Sequence, residues 1–174
     1  MLMSPNFYIA FLQILKGLAS SGRRAVPLIK SMVYYLSRKT DLNDIKLISD
    51  AFYAASNLAI KDLDFLEALS NKFEATLSTL EATHHSDSVV RSIITSFGQL
   101  GFCSKKALNS ISSWYAQRLQ QEPPVGTKDL AAFVLTTGAV NYVPIGSEPL
   151  YKVSGLHLFQ VNLYQSFLYL SGCA

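Results

Sequence analysis

Two dibasic pairs, Arg23-Arg24 and Lys105-Lys106, are the residues whose type and spacing come nearest to a chemistry. Arg23 and Arg24 follow Leu18 by five and six positions, and Lys105 and Lys106 follow Leu100 by the same offsets. Paired fixed cations suit phosphate, because releasing counterions from a polyanion favours association. Lys30 and Arg91 lie in helical runs and can project to either face. Arg38-Lys39 and Arg118 fall near the ends of helical runs, where cations also suit the helix dipole. Single-strand recognition further needs an exposed ring on which bases stack. Tyr8, Tyr34, Tyr35, Tyr53, Trp114, Tyr115 and Tyr142 supply rings, and Tyr53 is the one best placed to be exposed.

Catalytic constellations are thin by comparison. His84-His85 lack a ligand set at metal spacing and read as a solvated loop. His157 stands alone in the C-terminal tail. Cys103 follows Phe102 in a helix break and reads as a small buried thiol without a histidine partner. Asp62 and Asp64 flank Leu63 at a helix start, where negative charge suits the dipole. No glycine-rich phosphate loop, catalytic-loop aspartate motif or Asp-Phe-Gly occurs, and Gly126-Thr127 is not a P-loop. The expectation is a binding protein rather than an enzyme, with no metal and no cofactor.

The rest of the chain sets the frame for those cations. Of 174 residues, 49% are hydrophobic and 16% charged, enough for a packed core and too apolar for a disordered chain. Nine glycines and six prolines exclude collagen-like or linker-dominated architectures. Cys103 and Cys173 make neither a disulfide framework nor a thiolate metal site, which points to a reducing compartment. The net charge of +3 is small but unevenly spread: residues 1–40 carry +6, 41–81 carry −5, 82–120 carry +3 and the remainder −1. Such a distribution fits phosphate-binding units or ordinary solvated faces.

Four segments overlay on Leu18, Leu58, Leu100 and Val140, at intervals of 40, 42 and 40 residues. Each follows an apolar run at helical spacing, as in Val90, Ile93, Ile94 and Phe97, and each precedes a short polar break. A second stripe follows in three units: Val26, Ile29, Val33 and Leu36; Leu63, Leu66, Leu69 and Phe73; Ala107, Leu108, Ile111, Trp114 and Tyr115. Expected caps are Ser4 before Pro5, Asp41 or Asn43, Ser86 or Asp87, and Thr127. Glu122-Pro123-Pro124-Val125-Gly126 separates the third and fourth units. One hairpin alone cannot bury apolar surface on both helices, but stacked hairpins can. The expected fold is all-α: a short α-solenoid of helical hairpins with a repeat of about forty residues. Its units span about 4–40, 41–81, 86–121 and 127–152, within a domain 1–152, and an uncharged tail follows at 153–174. Pro144 and Pro149 leave open whether the fourth unit forms a second helix.

The stretches Ser96-Phe97-Gly98-Gln99-Leu100-Gly101-Phe102, Thr136-Thr137-Gly138-Ala139-Val140-Asn141-Tyr142-Val143-Pro144 and Asp129-Leu130-Ala131-Ala132-Phe133-Val134-Leu135 resemble the helical repeat region of the FAST kinase domain-containing proteins. The resemblance covers roughly residues 5–150. It implies a mitochondrial RNA-binding protein acting in stability, processing or translation of mitochondrial transcripts, with mitochondrial RNA as partner and the matrix as location. Members of that family also carry an N-terminal presequence, two FAST modules and a C-terminal RAP domain. Neither a presequence nor a RAP-like end is visible here, so the expectation is a fragment, a splice form or an incomplete gene model of a longer protein.

The tail could span a bilayer by length. His157, Gln160, Asn162 and Gln165 would each be costly at its centre, so a helix docked on the last hairpin or a sequence foreign to the repeat is expected instead. A membrane partner is not expected. Two further readings stay open: a protein-interaction scaffold built on the same solenoid, and a nonfunctional truncated product.

Overall fold

A computed structural model of the chain describes residues 5–38, 43–81 and 83–153. These form eight helices and no strand. In order they are α1 (Pro5–Ser21), α2 (Val26–Arg38), α3 (Ile45–Leu58), α4 (Leu63–Leu77), α5 (His84–Leu100), α6 (Lys105–Arg118), α7 (Thr127–Ala139) and α8 (Glu148–Val153). The protein is all-α, as the periodicity predicts. Helices α1, α3, α5 and α7 pack in succession, and α2, α4, α6 and α8 pack in succession beside them. Two layers result, and their pairings run in the order that stacked hairpins require.

The stripes dictate this packing. Phe52 on α3 and Phe97 on α5 are fully buried, their ring centroids 5.0 Å apart in edge-on contact. Phe97 also meets Phe102 at 5.3 Å, across the turn that ends its own helix. Tyr115 on α6 meets Phe133 on α7 at 5.9 Å, carrying the core into the last hairpin. Burying one such ring contributes about 2–3 kcal/mol, more than any surface charge pair in the molecule can.

The breaks share one geometry. Gly22, Ala59, Gly101 and Asn141 each take a left-handed conformation, with φ between 52° and 66°. Behind each, the next amide donates back across the helix end: Arg23 to the Leu18 carbonyl, Ile60 to Ala55, Phe102 to Phe97 and Tyr142 to Thr137. This closure satisfies carbonyls that the helix leaves open. It also corrects the repeat register. The left-handed residues follow each other by 37, 42 and 40 positions, so the partner of Leu58, Leu100 and Val140 in the first hairpin is Ser21, not Leu18. Leu18 is equivalent to Ala55, Phe97 and Thr137.

The helix starts also differ from expectation in detail. Asp44, rather than Asp41 or Asn43, caps α3 by accepting from the Lys46 amide at 2.8 Å. Thr83, rather than Ser86 or Asp87, caps α5 by accepting from the Ser86 amide at 3.2 Å. His84 and His85 therefore open α5 instead of forming a loop. Gly126 precedes α7 without a side-chain bond, and Thr127 is the first helical residue. Asp62 caps α4, accepting from the Phe65 amide at 3.0 Å. Pro149 falls in the first turn of α8, where a missing amide costs little. Residues 154–174, to which the tail readings apply, lie outside the described residues. No described helix is long and apolar enough to cross a membrane.

Candidate nucleic-acid interface

Helix α2 places Lys30, Tyr34 and Arg38 at successive intervals of four, which aligns them along one helix face. That face lines a groove of 640 Å³ against the α3–α4 turn. Arg24 enters the groove from the α1–α2 turn, and Lys61 from the facing turn. The Arg38 guanidinium lies 3.8 Å from the centroid of the Tyr34 ring, a cation–π contact that holds both groups at the surface. Tyr34 is 56% exposed. None of Arg24, Lys30, Arg38 and Lys61 is ion-paired among the described residues.

Asp62 and Asp64 also line this groove. Asp62 is occupied as the cap of α4, and Asp64 stands in the first turn of that helix, where the dipole favours an acid. Four cations therefore face two carboxylates that serve a helix start. The floor is apolar, with Val26, Ile29, Val33 and Ile60. An anionic polymer with flat, partly apolar bases meets complementary chemistry there: phosphates on the rim, and a ring for stacking.

The remaining sequence-derived residues separate into distinct environments. Arg23 is exposed in the α1–α2 turn, next to Arg24. Lys105 is exposed at the start of α6, its ammonium 5.9 Å from the Tyr142 ring centroid. Lys106 reaches Glu74 of α4 at 2.7 Å. Arg91 reaches Asp129 of α7 at 2.7 Å. Both bonds tie a helix to its neighbour in the stack.

Arg118 is a correction. Its side chain is 3% exposed and donates through Nε and Nη2 to both oxygens of Asp87, at 3.1 and 2.9 Å. This bonding raises its pKa further and commits its charge to Asp87 rather than to an incoming phosphate. Tyr53 is exposed on α3 but lies outside the groove; Tyr34 is the ring that the groove contains. Lys39 lies outside the described residues.

The equivalence of the two dibasic pairs also fails. In the register set by the left-handed residues, Lys105 and Lys106 match Val26 and Pro27 of the first hairpin, and Leu63 and Asp64 of the second. Arg23 matches Ile60, Phe102 and Tyr142 instead. Lys61 and Tyr34 are the groove residues that the charge spacing missed. The interval of four through Lys30, Tyr34 and Arg38 was the signal that could have found Tyr34.

A larger groove of 780 Å³ runs between α4 and α6. Asn71, Asn109, Ser113 and Gln117 line it, and its two cations, Lys106 and Arg118, are already paired. It offers hydrogen bonds but little spare positive charge. Cys103 is exposed in the α5–α6 turn rather than buried. What cover it has pushes its thiol upward in pKa, and Lys105 only partly offsets this. Among the described residues, no group of three or more histidine, cysteine, aspartate or glutamate side chains could hold a metal ion. No family model, curated protein or solved structure matches the chain.

Proposed function

We propose that this chain is an RNA-binding helical-repeat protein, without catalysis of its own, that acts in mitochondrial RNA stability, processing or translation. The observation that carries the reading is the α2 groove, where Arg24, Lys30, Arg38 and Lys61 surround the exposed Tyr34 ring. Unpaired cations bind phosphate through counterion release, and a ring beside them stacks on a base whatever its identity. The mitochondrial setting rests on the resemblance of the repeat segments to the FAST kinase domain-containing proteins, as does the identity of the RNA.

The test is crosslinking and fluorescence anisotropy with a short single-stranded RNA. The variant Arg24→Glu/Lys30→Glu/Arg38→Glu should lose RNA binding. The variant Arg91→Gln should retain it, because Arg91 is engaged with Asp129. Unchanged binding by the triple variant would remove the groove from the account.

The apolar floor of the same groove, with Asp62 and Asp64 at its edge, supports a second reading as a protein-interaction scaffold. On that reading the groove takes a peptide, and the wild-type chain shows no binding to the single-stranded RNA in the same assay.

A further inference from the structure

The positions that build the α2 groove recur along the layer of α2, α4 and α6. In the register set by Gly22, Ala59 and Gly101, Lys30 corresponds to Glu67 on α4 and Asn109 on α6, and Tyr34 to Asn71 and Ser113. Helix α4 packs between α2 and α6. Asn71, the counterpart of Tyr34, therefore stands between the two grooves, and it lines the larger one of 780 Å³. One face thus changes character from helix to helix: cations and a ring on α2, an acid and an amide on α4, uncharged hydrogen-bonding side chains on α6.

This second groove has a fixed hydrogen-bond polarity. Asn109 Oδ1 accepts from the Ile145 amide at 2.9 Å and from the Tyr142 hydroxyl at 3.1 Å. Gln121 Oε1 accepts from Arg118 Nη1 at 2.9 Å, and Arg118 is itself held by Asp87. A backbone N–H and a guanidinium can only donate, so in both side chains the oxygen is occupied and the NH₂ group is what remains. Both residues line the groove, which therefore offers oriented donors. Asn109 lies near the start of α6 and Gln121 just past its end, roughly 15 Å apart at the helical rise and too far to serve one base.

We propose that a single-stranded RNA held in the α2 groove continues past Asn71 into the α4–α6 groove, where Asn109 and Gln121 each donate to a base carbonyl and select uracil. The inference rests on the RNA-binding function proposed above. Phosphate contacts position a nucleic acid, whereas base contacts specify it, and an unpaired base exposes its edges to side chains. Uracil presents two carbonyl oxygens. Adenine has no carbonyl and sets an amino donor beside its ring nitrogens. Glu67, standing where α2 has Lys30, repels phosphate from α4. Lys106 is already paired with Glu74. Affinity and its salt dependence therefore belong to α2, and selectivity belongs to the second groove.

Fluorescence anisotropy of the full chain with oligouridylate and oligoadenylate of equal length tests this. The wild-type chain should bind oligouridylate about tenfold more tightly. Asn109→Asp/Gln121→Glu keeps both oxygens for Ile145, Tyr142 and Arg118 but removes both donors. Its added charge weakens the two RNAs alike, so the ratio of affinities is the readout, and that ratio should fall to about one. Gln121→Ala, which adds no charge, should lower the ratio part of the way. Circular dichroism should show unchanged helix content in both variants. Equal wild-type affinities, or a preference for oligoadenylate, would overturn the uracil selection while leaving RNA binding intact. So would a ratio that survives Asn109→Asp/Gln121→Glu. A wild-type chain that binds neither RNA would overturn the RNA-binding function as well.

Discussion

Tyr115 is the residue whose chemistry fits its surroundings least. It is fully buried, and its hydroxyl has no hydrogen-bond partner among the described residues. Burial raises its pKa well above the ordinary tyrosine value, and the carboxylates of Asp129 and Asp87 add to the shift. The folded chain therefore keeps this proton at a pH where the unfolded chain releases it. Stability from this group is intact below about pH 10 and is lost as pH rises from there through the raised folded value. Replacing Tyr115 with Phe removes a buried polar group without changing the ring, so it should hold or raise stability by about 1 kcal/mol. Urea melts at neutral and alkaline pH check both points: the variant should be at least as stable near pH 7 and should lose less stability above pH 10. A buried orphan of this kind is not legible in sequence, where Tyr115 shows only as one more member of the α6 stripe. The same holds for Arg118, which a charge count offers to solvent and which the stack instead gives to Asp87.

At the scale of elements, the helix stripes were legible because an interval of three to four residues survives any variation in side-chain size. The register of the first hairpin was not. Gly17-Leu18 imitates the small-then-apolar ending of the later helices, while the residue that turns the chain is Gly22, one hydrogen-bonded turn further on. The partnerships of Arg91 with Asp129 and of Lys106 with Glu74 were hidden for a related reason: they join residues more than thirty positions apart, brought together only by stacking. The left-handed turns also make an energetic statement. Ala59 adopts φ 52° with a β-carbon, where Gly101 needs none. Ala59→Gly should therefore raise stability by about 1 kcal/mol, and Gly101→Ala should lower it by a similar amount. Thermal melts of the two variants should move in opposite directions; movement in the same direction would contradict the shared turn geometry.

For the molecule as a whole, the uneven charge along the sequence becomes a spatial division of labour. Cations further along the chain, such as Arg91, Lys106 and Arg118, are spent on neighbouring acids. Most of those in the first hairpin are not, and three of them converge with Lys61 and the Tyr34 ring on one groove. Sequence reasoning found the surplus of charge in residues 1–40 but placed the binding row across two hairpins. It could not see that the groove lies between the first hairpin and the α3–α4 turn facing it. The most direct measurement is the salt dependence of single-stranded RNA affinity for the wild-type chain beside Arg24→Glu/Lys30→Glu/Arg38→Glu. If three phosphates are held in the groove, log K should fall with log salt concentration at a slope of about −2. The triple variant should show weak, nearly salt-independent binding. A wild-type affinity indifferent to salt, or a slope that survives the three reversals, would contradict it.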